Sequence, residues 1–457
     1  MRPSVQVAGK RFSIFGGARS GLAAAGLLRS AGADVFLSEK AEAAALGSLP
    51  EELERLGVPA EFGGHTARAA EADVLVLSPG VPSTVPLVKD AIASGTDVVS
   101  ELEVASWFCP GPIVAVTGTN GKTTTTALTG RIFQDAKVRS VVAGNIGTAF
   151  SQVVTEMSEG DVAILEVSSF QLDHIKTFRP RVSVLLNITP DHLDRYDHRF
   201  ELYVASKQRI FKNQAMGDTL IYNAGDPATR AAVEGHVSAD VRRLAFSRAG
   251  RVDAGAFVQD GALTVALESA VSAVLPVSEI GIRGAHNLEN AMAAALAGHT
   301  MGVSAASLRA TLKNFKGVEH RLEFVRELDG VSFVNDSKAT NVDAVWYALQ
   351  SFSSPIVVLL GGRDKGNDYA RLTELVKKHV RAIVAIGESA EKVRAAFASV
   401  VPLTIARSMD DAVRSARGMA QRGDVVLLSP ACASFDWFQN YEHRGRVFKD
   451  IVMGLGS

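Results

Sequence analysis

Short apolar runs alternate with helix-like and polar segments along most of the chain. In the first hundred residues, apolar runs occupy 12–15, 35–37, 74–77 and 98–99, and a helical segment covers Ser20–Ser30. Continuous apolar runs of this length, separated by helices, are typical of parallel strands that are buried on both faces of a sheet. The pattern therefore predicts a doubly wound α/β unit in this part of the chain.

The same alternation continues through the rest of the sequence. It predicts a helix over Phe200–Asn213, a hairpin that turns on Asp329-Gly330, and strands at 113–116, 163–167, 182–186, 219–222, 356–360, 382–386 and 425–428. We predict an α/β protein with three domains: an N-terminal Rossmann-like unit over residues 1–101, a central P-loop mononucleotide-binding unit over 102–318, and a C-terminal Rossmann-like α/β unit over 319–457.

Composition and charge exclude several classes of function. The chain has 48 Lys and Arg against 49 Asp and Glu, a net charge of −1, which argues against a nucleic-acid partner or an anionic membrane surface. Its two cysteines, Cys109 and Cys432, lack metal-ligand spacing, as expected in a reducing cytosol. No apolar stretch approaches the roughly 18 residues of a membrane span, and the start, MRPSVQVAGKRFSIF, lacks the apolar segment of a secretion signal. We expect a cytoplasmic protein without membrane insertion.

The clearest chemical signal follows the apolar run at 113–116. There Thr117-Gly118-Thr119-Asn120-Gly121 ends the run, and Lys122-Thr123 opens a helical stretch. A strand, a glycine loop and Lys-Thr at a helix start together form a triphosphate cradle, in which loop N–H groups and the lysine face the phosphates and the threonine hydroxyl holds Mg²⁺. The usual pattern has glycine where this chain has Val116. We therefore predict a variant phosphate loop that binds ATP.

A second glycine turn lies near the N-terminus. Gly16-Gly17-Ala18-Arg19-Ser20-Gly21 is similar to a dinucleotide-binding fingerprint, except that Ala18 replaces its middle glycine. Ser38-Glu39-Lys40 follows about twenty residues later, where such folds contact a ribose. The residues alone leave three alternatives: an NAD site, a site for another phosphorylated ligand at the same helix terminus, or a purely structural turn.

Polar residues at later strand ends could complete the ATP site. Glu166 lies near the end of the apolar run at 163–167, where a carboxylate could ligate Mg²⁺ directly or through water. In the loop that follows the run at 182–186, His192 could be a metal ligand or a base, oriented by Asp191 and Asp194. Ordinary solvated loops of this composition are equally common.

Two amides and one lysine extend this set. Asn287 and Asn290 open an alanine-rich helix, where they could contact a purine edge or cap the helix. Lys207 lies in the predicted helix Phe200–Asn213, and its chemistry alone assigns it no role.

In the third block, polar loops follow three predicted strands: NDSKATN, GGRDKG and SPACAS. Because the carboxyl ends of parallel strands share one sheet edge, the loops together predict a site for a small substrate with carboxylates.

These segments resemble the muramyl (Mur) ligase family of amide-bond-forming enzymes. The resemblance covers essentially the whole chain and rests on GTNGKTTT, GNIG, EVSSFQL, NITPDHLDRY, GAHNLENAMAA, GVEHRLEF, NDSKATN, LLGGRDKG and SPACASFDWFQNYEHRGRVF. It implies a three-domain α/β ligase in which ATP phosphorylates a carboxylate and an amine then displaces the phosphate. The C-terminal motif, the absence of a DNPR motif, and Asn120 in place of a histidine imply D-glutamate as the amino acid and UDP-N-acetylmuramoyl-L-alanine as the acceptor. The step would belong to peptidoglycan precursor synthesis in a bacterial cytoplasm.

The resemblance also implies roles for individual residues. Catalytic roles fall to Lys122, His192 and Lys207, and ATP binding to Gly118, Thr119, Asn120, Gly121, Lys122, Thr123, Thr124, Asn287, Asn290, Arg321, Asp336 and Lys338. Two Mg²⁺ sites are expected from Thr123, Glu166, His192 and Lys207, with Lys207 carbamylated. The acceptor would contact Ser20, Ser38, Lys40, Ser78, Gly80, Asn145 and Ser168, and D-glutamate would contact Thr340, Lys365, Ser434 and Tyr441.

The chain departs from the family pattern at two places. Some relatives carry Asp-Thr-Arg where this sequence has Ser38-Glu39-Lys40, and a phenylalanine is common where Tyr441 stands. We expect a monomer. The alternatives are a sister ligase with another acceptor or amino acid, an NAD-dependent oxidoreductase, and a nucleotide-binding regulator without ligase activity.

Overall fold

A computed structural model describes residues 6–145, 147–267, 270–352, 354–364 and 366–456. The chain divides into two compact units. The first consists of Met1–Ile280 and Glu289–Lys313, and the second of Gly281–Leu288 and Asn314–Ser457. Within the described residues, none of the helices combines the length and the apolar character that crossing a bilayer requires.

The first unit begins with a parallel sheet of strand order β3-β2-β1-β4-β5. Its strands are β1 (Arg11–Phe15), β2 (Asp34–Glu39), β3 (Ala60–Phe62), β4 (Val74–Leu77) and β5 (Asp97–Ser100). The helices are α1 (Arg19–Ser30), α2 (Leu49–Leu56), α3 (Pro86–Ala93) and α4 (Glu101–Phe108). Buried residues on both faces of β1 and β4 explain their continuous apolar runs, and the predicted doubly wound arrangement is confirmed.

The second sheet of this unit has the order β14-β13-β12-β11-β10-β9-β6-β8-β7. Its strands are β6 (Ile113–Thr117), β7 (Ser140–Gly144), β8 (Val162–Glu166), β9 (Val182–Leu185), β10 (Thr219–Asn223), β11 (Arg242–Ser247), β12 (Gly255–Gln259), β13 (Ala262–Leu267) and β14 (Ala270–Pro276). The strands from β6 to β12 pair in parallel, whereas β12, β13 and β14 pair antiparallel. The central strands β6, β8 and β9 are buried at every residue.

Helices flank these strands. They are α5 (Lys122–Asp135), α6 (Phe150–Val153), α7 (Ser169–Asp173), α8 (Phe200–Gln208), α9 (Pro227–Val233), α10 (Ala285–Thr300) and α11 (Ala305–Asn314). The predicted helix Phe200–Asn213 was too long, because α8 ends at Gln208 and a 3-10 turn over Arg209–Phe211 follows. A 3-10 turn of this kind is common at the end of an α-helix. Within it, Arg209 Nε donates to Leu172 O at 2.8 Å.

The second unit contains a sheet of order β15-β16-β20-β17-β18-β19. Its strands are β15 (Glu323–Leu328), β16 (Val331–Asn335), β17 (Ile356–Gly361), β18 (Val380–Ile386), β19 (Leu403–Ile405) and β20 (Val425–Leu428), and its helices are α12 (Val342–Leu349), α13 (Thr373–His379), α14 (Ala390–Phe397), α15 (Met409–Met419) and α16 (Tyr441–Gly454). The predicted hairpin is confirmed as β15 and β16, which turn on Asp329 and Gly330 with positive φ at both residues. Because β16, β20 and β17 are parallel neighbours, their three polar loops share one sheet edge, as predicted.

A buried carboxylate fastens the first sheet's last helix to the second sheet. Glu103 on α4 is fully buried and accepts hydrogen bonds from the backbone N–H groups of Lys176, Thr177 and Phe178 at 2.8–2.9 Å, just before β9. It also accepts from Trp107 Nε1 at 2.9 Å. Since one carboxylate satisfies donors from two layers, it helps to hold the two sheets of the first unit together.

We expect Glu103→Gln to lower the free energy of unfolding by about 2–3 kcal/mol, because the amide places a donor against N–H donors in a buried position. Chemical denaturation of the full chain would measure this loss. Glu156→Gln, at an exposed position, should leave stability nearly unchanged. Equal stability of the two variants would contradict the anchoring role of Glu103.

Candidate active site

The phosphate loop connects the fully buried β6 to α5, as the sequence predicted. Gly118 has φ +155°, and a Cβ there would lie 2.9 Å from Leu186 Cβ. Gly121 has φ +85°, and a Cβ there would lie 2.3 Å from Asn290 Oδ1. Both positions therefore require glycine. The resulting turn directs the N-terminus of a 14-residue helix toward the loop.

Other contacts hold the loop against the strand ends beside it. Asn120 N–H donates to Asn187 Oδ1 at 2.8 Å, and Asn187 Nδ2 donates back to Asn120 O at 3.1 Å. Thr119 Oγ1 lies 3.0 Å from Thr189 O and 3.2 Å from Tyr203 OH. These bonds make the loop a preformed element.

Helix α5 and the start of α10 meet beside the loop. Thr125 Oγ1 donates to Asn290 Oδ1 at 3.2 Å, so the structure brings Asn290 to the phosphate loop. Thr124, on the first turn of α5, is buried.

Two lysine amines converge on one carbonyl oxygen. Lys122 Nζ donates to Gly118 O at 2.9 Å and to Thr119 O at 2.8 Å, while Lys207 Nζ donates to Gly118 O at 2.8 Å. Lys207 is 1% exposed. Its burial, and then the nearby positive charge of Lys122, hold the pKa of the Lys207 amine well below its ordinary value. Lys207 therefore favours the neutral amine far more than a surface lysine does.

A hydroxyl and a carboxylate face each other next to the lysines. Thr123 Oγ1 donates to Glu166 Oε2 at 2.7 Å, and Asn145 Nδ2 donates to Glu166 Oε1 at 3.1 Å. Glu166 is only 3% exposed at the carboxyl end of β8. Hydroxyl and carboxylate oxygens are the ligands that Mg²⁺ prefers, so this donor set fits the predicted cation.

His192 lies on the loop after β9 with a left-handed backbone, φ +53°. Non-glycine residues in that region are strained and cluster at functional sites. The backbone N–H of His192 donates to Asp191 Oδ1 at 2.9 Å, and the imidazole ring meets the Phe170 ring edge-on, with 5.0 Å between the centroids. The side chain is 52% exposed; the partial desolvation of its ring, and then Lys122 and Lys207, lower the pKa of His192 against the opposing effect of Asp191. A neutral imidazole is the form that binds metal.

The predicted acceptor residues of the first sheet lie at the carboxyl ends of its strands. Ser78 Oγ donates to Gly16 O at 2.8 Å, and Ser38 Oγ donates to Glu61 Oε1 at 2.5 Å. Ser20 is on the first turn of α1, whereas Lys40 and Gly80 lie in the loops after β2 and β4. In the glycine turn, the backbone N–H of Gly17 donates to the chain's own Glu39 Oε2 at 2.6 Å.

Ser168 and Asn145 lie close to Glu166. Asn145 N–H donates to Glu166 O at 2.8 Å. Ser168 Oγ caps α7 by accepting from Gln171 N–H at 3.3 Å, with the reciprocal bond from Ser168 N–H to Gln171 Oε1 at 3.0 Å. The structure therefore shows a local helix-capping function for Ser168.

The second unit has its own group of predicted residues. Asp336 is buried and accepts from Ser429 Oγ at 2.8 Å and Leu322 N–H at 3.2 Å. Lys338 Nζ lies 5.1 Å from the centroid of the Tyr441 ring. The other predicted residues here are buried or partly buried: Asn287, Arg321, Thr340 and Ser434. The predicted Lys365 lies outside the described residues.

Profiles of two protein domains match the sequence. The Mur ligase middle domain matches residues 116–298, and the Mur ligase, glutamate ligase domain matches residues 320–432. The chain belongs to the Mur ligase family. The middle-domain match begins at the end of β6 and includes the phosphate loop, Glu166, His192 and Lys207.

Mur ligases similar to this chain over nearly its whole length come from several bacteria. The UDP-N-acetylmuramoylalanine–D-glutamate ligase of Salinibacter ruber is 53% identical over 452 residues, which cover 97% of this chain and 98% of that protein. The protein of the same name from Chloroherpeton thalassium is 46% identical, with 98% of this chain and 99% of that protein covered.

Solved structures with the Mur ligase fold are more distant in sequence. A pseudomurein peptide ligase type C from Methanothermus fervidus has a TM-score of 0.61 at 18% identity, covering 97% of this chain and 99% of that chain. MurF ligase from Thermotoga maritima, solved in complex with ADP, has a TM-score of 0.60 at 17% identity, covering 92% of this chain and 95% of that chain. At this level of identity, the similarity supports the fold alone.

One arginine of this Mur ligase has a structural importance that the sequence analysis missed. Arg444 on α16 is 1% exposed, and its guanidinium donates to Ser337 Oγ at 2.9 Å, Ser337 O at 2.7 Å, Cys432 O at 3.1 Å and Ala433 O at 3.3 Å. It therefore joins the loops after β16 and β20, which carry the predicted substrate residues. Its segment, YEHRGRVF, belongs to the C-terminal motif that resembles the family, but the spacing of that motif does not predict that Arg444 reaches both loops.

A cluster of Glu319, His320 and Glu323 has ligand atoms close enough together for a metal ion. However, Lys449 Nζ lies 2.5 Å from a Glu319 oxygen and 2.9 Å from a Glu323 oxygen. The Lys449 amine already pairs with both carboxylates, so we assign no metal to them.

Burial raises the pKa of the Asp336 carboxyl from 3.8 to about 7, against the lowering effects of Ser429 and Arg321. Because the folded state holds this proton more tightly than the unfolded state, the contribution of Asp336 to stability is full below about pH 4 and is lost as the pH rises through about 7. A shift of this size corresponds to a loss of about 4 kcal/mol in the free energy of unfolding.

Denaturation of the wild-type chain and of Asp336→Asn between about pH 5 and pH 8 would measure this effect, because the neutral amide cannot titrate. The stability of the wild type relative to Asp336→Asn should fall with rising pH, whereas the exposed Asp450→Asn should keep the wild-type slope. Parallel curves for wild type and Asp336→Asn would contradict the raised pKa.

Proposed function

We propose that this chain is an ATP-dependent ligase that adds D-glutamate to UDP-N-acetylmuramoyl-L-alanine, a step of peptidoglycan precursor synthesis. The observation that carries the proposal is the phosphate loop: two lysine amines converge on Gly118 O beside the Thr123–Glu166 pair. Relatives of 53% and 46% identity, matched over nearly their full length, bear the name of this activity.

The proposed reaction has two steps. The terminal carboxylate of the acceptor attacks the γ-phosphorus of ATP, which yields an acyl phosphate and ADP. The amine of D-glutamate then attacks the acyl carbon, and the tetrahedral intermediate collapses to the amide as inorganic phosphate leaves. Since the nucleophiles belong to the substrates, the protein would contribute positioning and charge stabilisation.

Residues of the phosphate loop would bind ATP. The N–H groups at the start of α5 and the Lys122 amine would face the β- and γ-phosphates. Asn290, beside the loop, and Asn287, Arg321, Asp336 and Lys338 of the second unit are proposed ATP contacts.

Thr123, Glu166 and His192 would hold two Mg²⁺ ions, together with a modified Lys207. The ions would neutralise charge on the phosphates. The neutral form of His192 and the oxygen pair of Thr123 and Glu166 support this assignment.

Lys207 is proposed to react with CO₂: the amine nitrogen bonds to the carbon, one N–H proton is released to water, and a carbamate forms. Only a neutral amine attacks CO₂, and the low pKa of buried Lys207 favours that form. The product carries a negative charge and two acceptor oxygens, so it could ligate a cation, which the unmodified amine cannot do. The Lys122 ammonium would also attract the negatively charged carbamate.

The acceptor and D-glutamate would contact separate groups of residues. Ser20, Ser38, Lys40, Ser78 and Gly80 of the first sheet, with Asn145 and Ser168, are the proposed acceptor contacts. Thr340, Lys365, Ser434 and Tyr441 of the second unit are the proposed D-glutamate contacts. We further propose that the enzyme acts as a monomer in a bacterial cytoplasm, without nucleic acid as a partner.

Phosphate release measured with pairs of substrates tests the proposal. Turnover should require ATP, UDP-N-acetylmuramoyl-L-alanine and D-glutamate together, and should fall to background in Lys122→Ala. Preference for another acceptor, L-alanine or a diamino acid would identify a sister ligase instead. ATP binding without substrate-dependent hydrolysis would indicate a nucleotide-binding regulator, and tight NAD binding would favour an oxidoreductase.

A further inference from the structure

Arg195 is a cation placed between the two sheets of the first unit. Its Nη1 donates to Pro79 O at 3.1 Å, in the loop after β4 of the first sheet, although Arg195 belongs to the loop after β9 of the second. The two residues are 116 positions apart in the chain. The contact therefore links the proposed acceptor loop, Ser78–Gly80, to the loop that carries His192.

The guanidinium of Arg195 is held in place by aromatic rings. Its Cζ lies 4.0 Å from the centroid of the Phe170 ring, a distance at which the ring face attracts a cation. Phe170 in turn stacks on Tyr196 at 6.2 Å with an interplanar angle of 14°, and its ring meets His192. Tyr196 OH donates to Asp173 Oδ2 at 2.8 Å, so the support below the arginine is itself fixed.

Asp194 and Asp173 lie close enough to act on the charge of Arg195, but the loop against which the guanidinium rests contributes no charge of its own. Between Ser78 and Ser83, the loop SPGVPS has no charged side chain, whereas a diphosphate carries at least two negative charges. Burial lowers the pKa of Arg195 from its ordinary value, which indicates that water only partly solvates this cation. A planar guanidinium can donate to Pro79 O and still present other N–H groups to a phosphate.

We propose that Arg195 is a specificity-determining residue for the acceptor: fixed on Phe170, it holds the Ser78–Gly80 loop through Pro79 O and binds the diphosphate of the nucleotide-sugar. This inference rests on the proposed function, because it assumes that a uridine diphosphate group binds at this loop. It assigns to one side chain the recognition of the diphosphate, separately from the nucleoside.

Calorimetric binding of UDP, UMP and uridine to the full chain tests the proposal. For the wild type we expect tighter binding of UDP than of uridine. Arg195→Gln should reduce this ratio of affinities about 10-fold or more, as expected for a charge-assisted hydrogen bond, while ATP affinity stays unchanged. Arg195→Lys keeps the charge but not the planar fork, and should retain part of the ratio.

Arg199→Gln is a matched control, because it removes the same charge from an exposed position four residues further on; it should keep the wild-type ratio. If Arg195 is only a structural link, Arg195→Gln will weaken all three ligands equally and Arg195→Lys will leave the ratio unchanged; either result overturns the inference. Failure of the wild type to bind any of the three ligands would instead contradict the proposed function. Thermal unfolding of each variant shows whether it is folded. If Arg195→Gln is not folded, the ratio of UDP to uridine affinity in Arg195→Lys decides between diphosphate binding and a structural link.

Discussion

Lys207→Ala should lose about a thousandfold in the rate of phosphate release, while short-chain carboxylic acids such as acetate or propionate restore part of that rate. If the functional group is a carbamate, alanine removes a cation ligand worth several kcal/mol in the transition state. The substitution also leaves space beside Gly118 O that a small carboxylate can occupy. Initial rates with both substrates, with and without added acid, measure the effect.

Two further variants separate the carbamate from simpler roles of the lysine. Lys207→Arg keeps a cation but cannot form a carbamate, so it should be as inactive as Lys207→Ala. Lys212→Ala, at an exposed position just beyond α8, should have wild-type rates. High activity of Lys207→Arg would show that a positive charge at Gly118 O is sufficient, and wild-type activity of Lys207→Ala would remove the residue from the mechanism. Thermal unfolding of every variant should show a wild-type transition, so that a lost rate is not caused by a lost fold.

Glu166→Gln should also reduce the rate by about a thousandfold, by weakening Mg²⁺ binding rather than the fold. The amide keeps the size of the carboxylate and can still contact Thr123 Oγ1 and Asn145 Nδ2, which donate to Glu166. It lacks the negative charge that attracts a cation. The rate as a function of Mg²⁺ concentration should show a higher half-saturation point and a lower maximum.

The exposed Glu159→Gln carries the same change of charge and should keep the wild-type Mg²⁺ dependence. An unchanged Mg²⁺ dependence in Glu166→Gln would mean that Glu166 only orders Thr123 and Asn145. A large drop in thermal stability would indicate that the carboxylate supports the fold, and the loss of rate would then carry no information on the metal.

Patterns that lie within one stretch of sequence were the most predictable. The central strands were correctly predicted because strands buried on both faces are continuous apolar runs, as in β4 and β20, whose observed bounds equal the predicted ones. The phosphate loop was predictable because its strand, glycines and lysine are contiguous. The end of α8 was not, because the helical pattern continues through Arg209–Phe211, where the backbone tightens into a 3-10 turn.

The sequence by itself determined the α/β class, the ATP loop and the family, since each depends on local periodicity or on contiguous motifs. The tertiary structure decided which distant residues meet. Lys207 reaches Gly118 O across 89 residues, Arg444 joins two loops of the second unit, and Arg195 reaches Pro79 O across 116 residues. The order of parallel strands brings together the loops and helices that carry these side chains, and that order follows from long-range packing rather than from any local pattern.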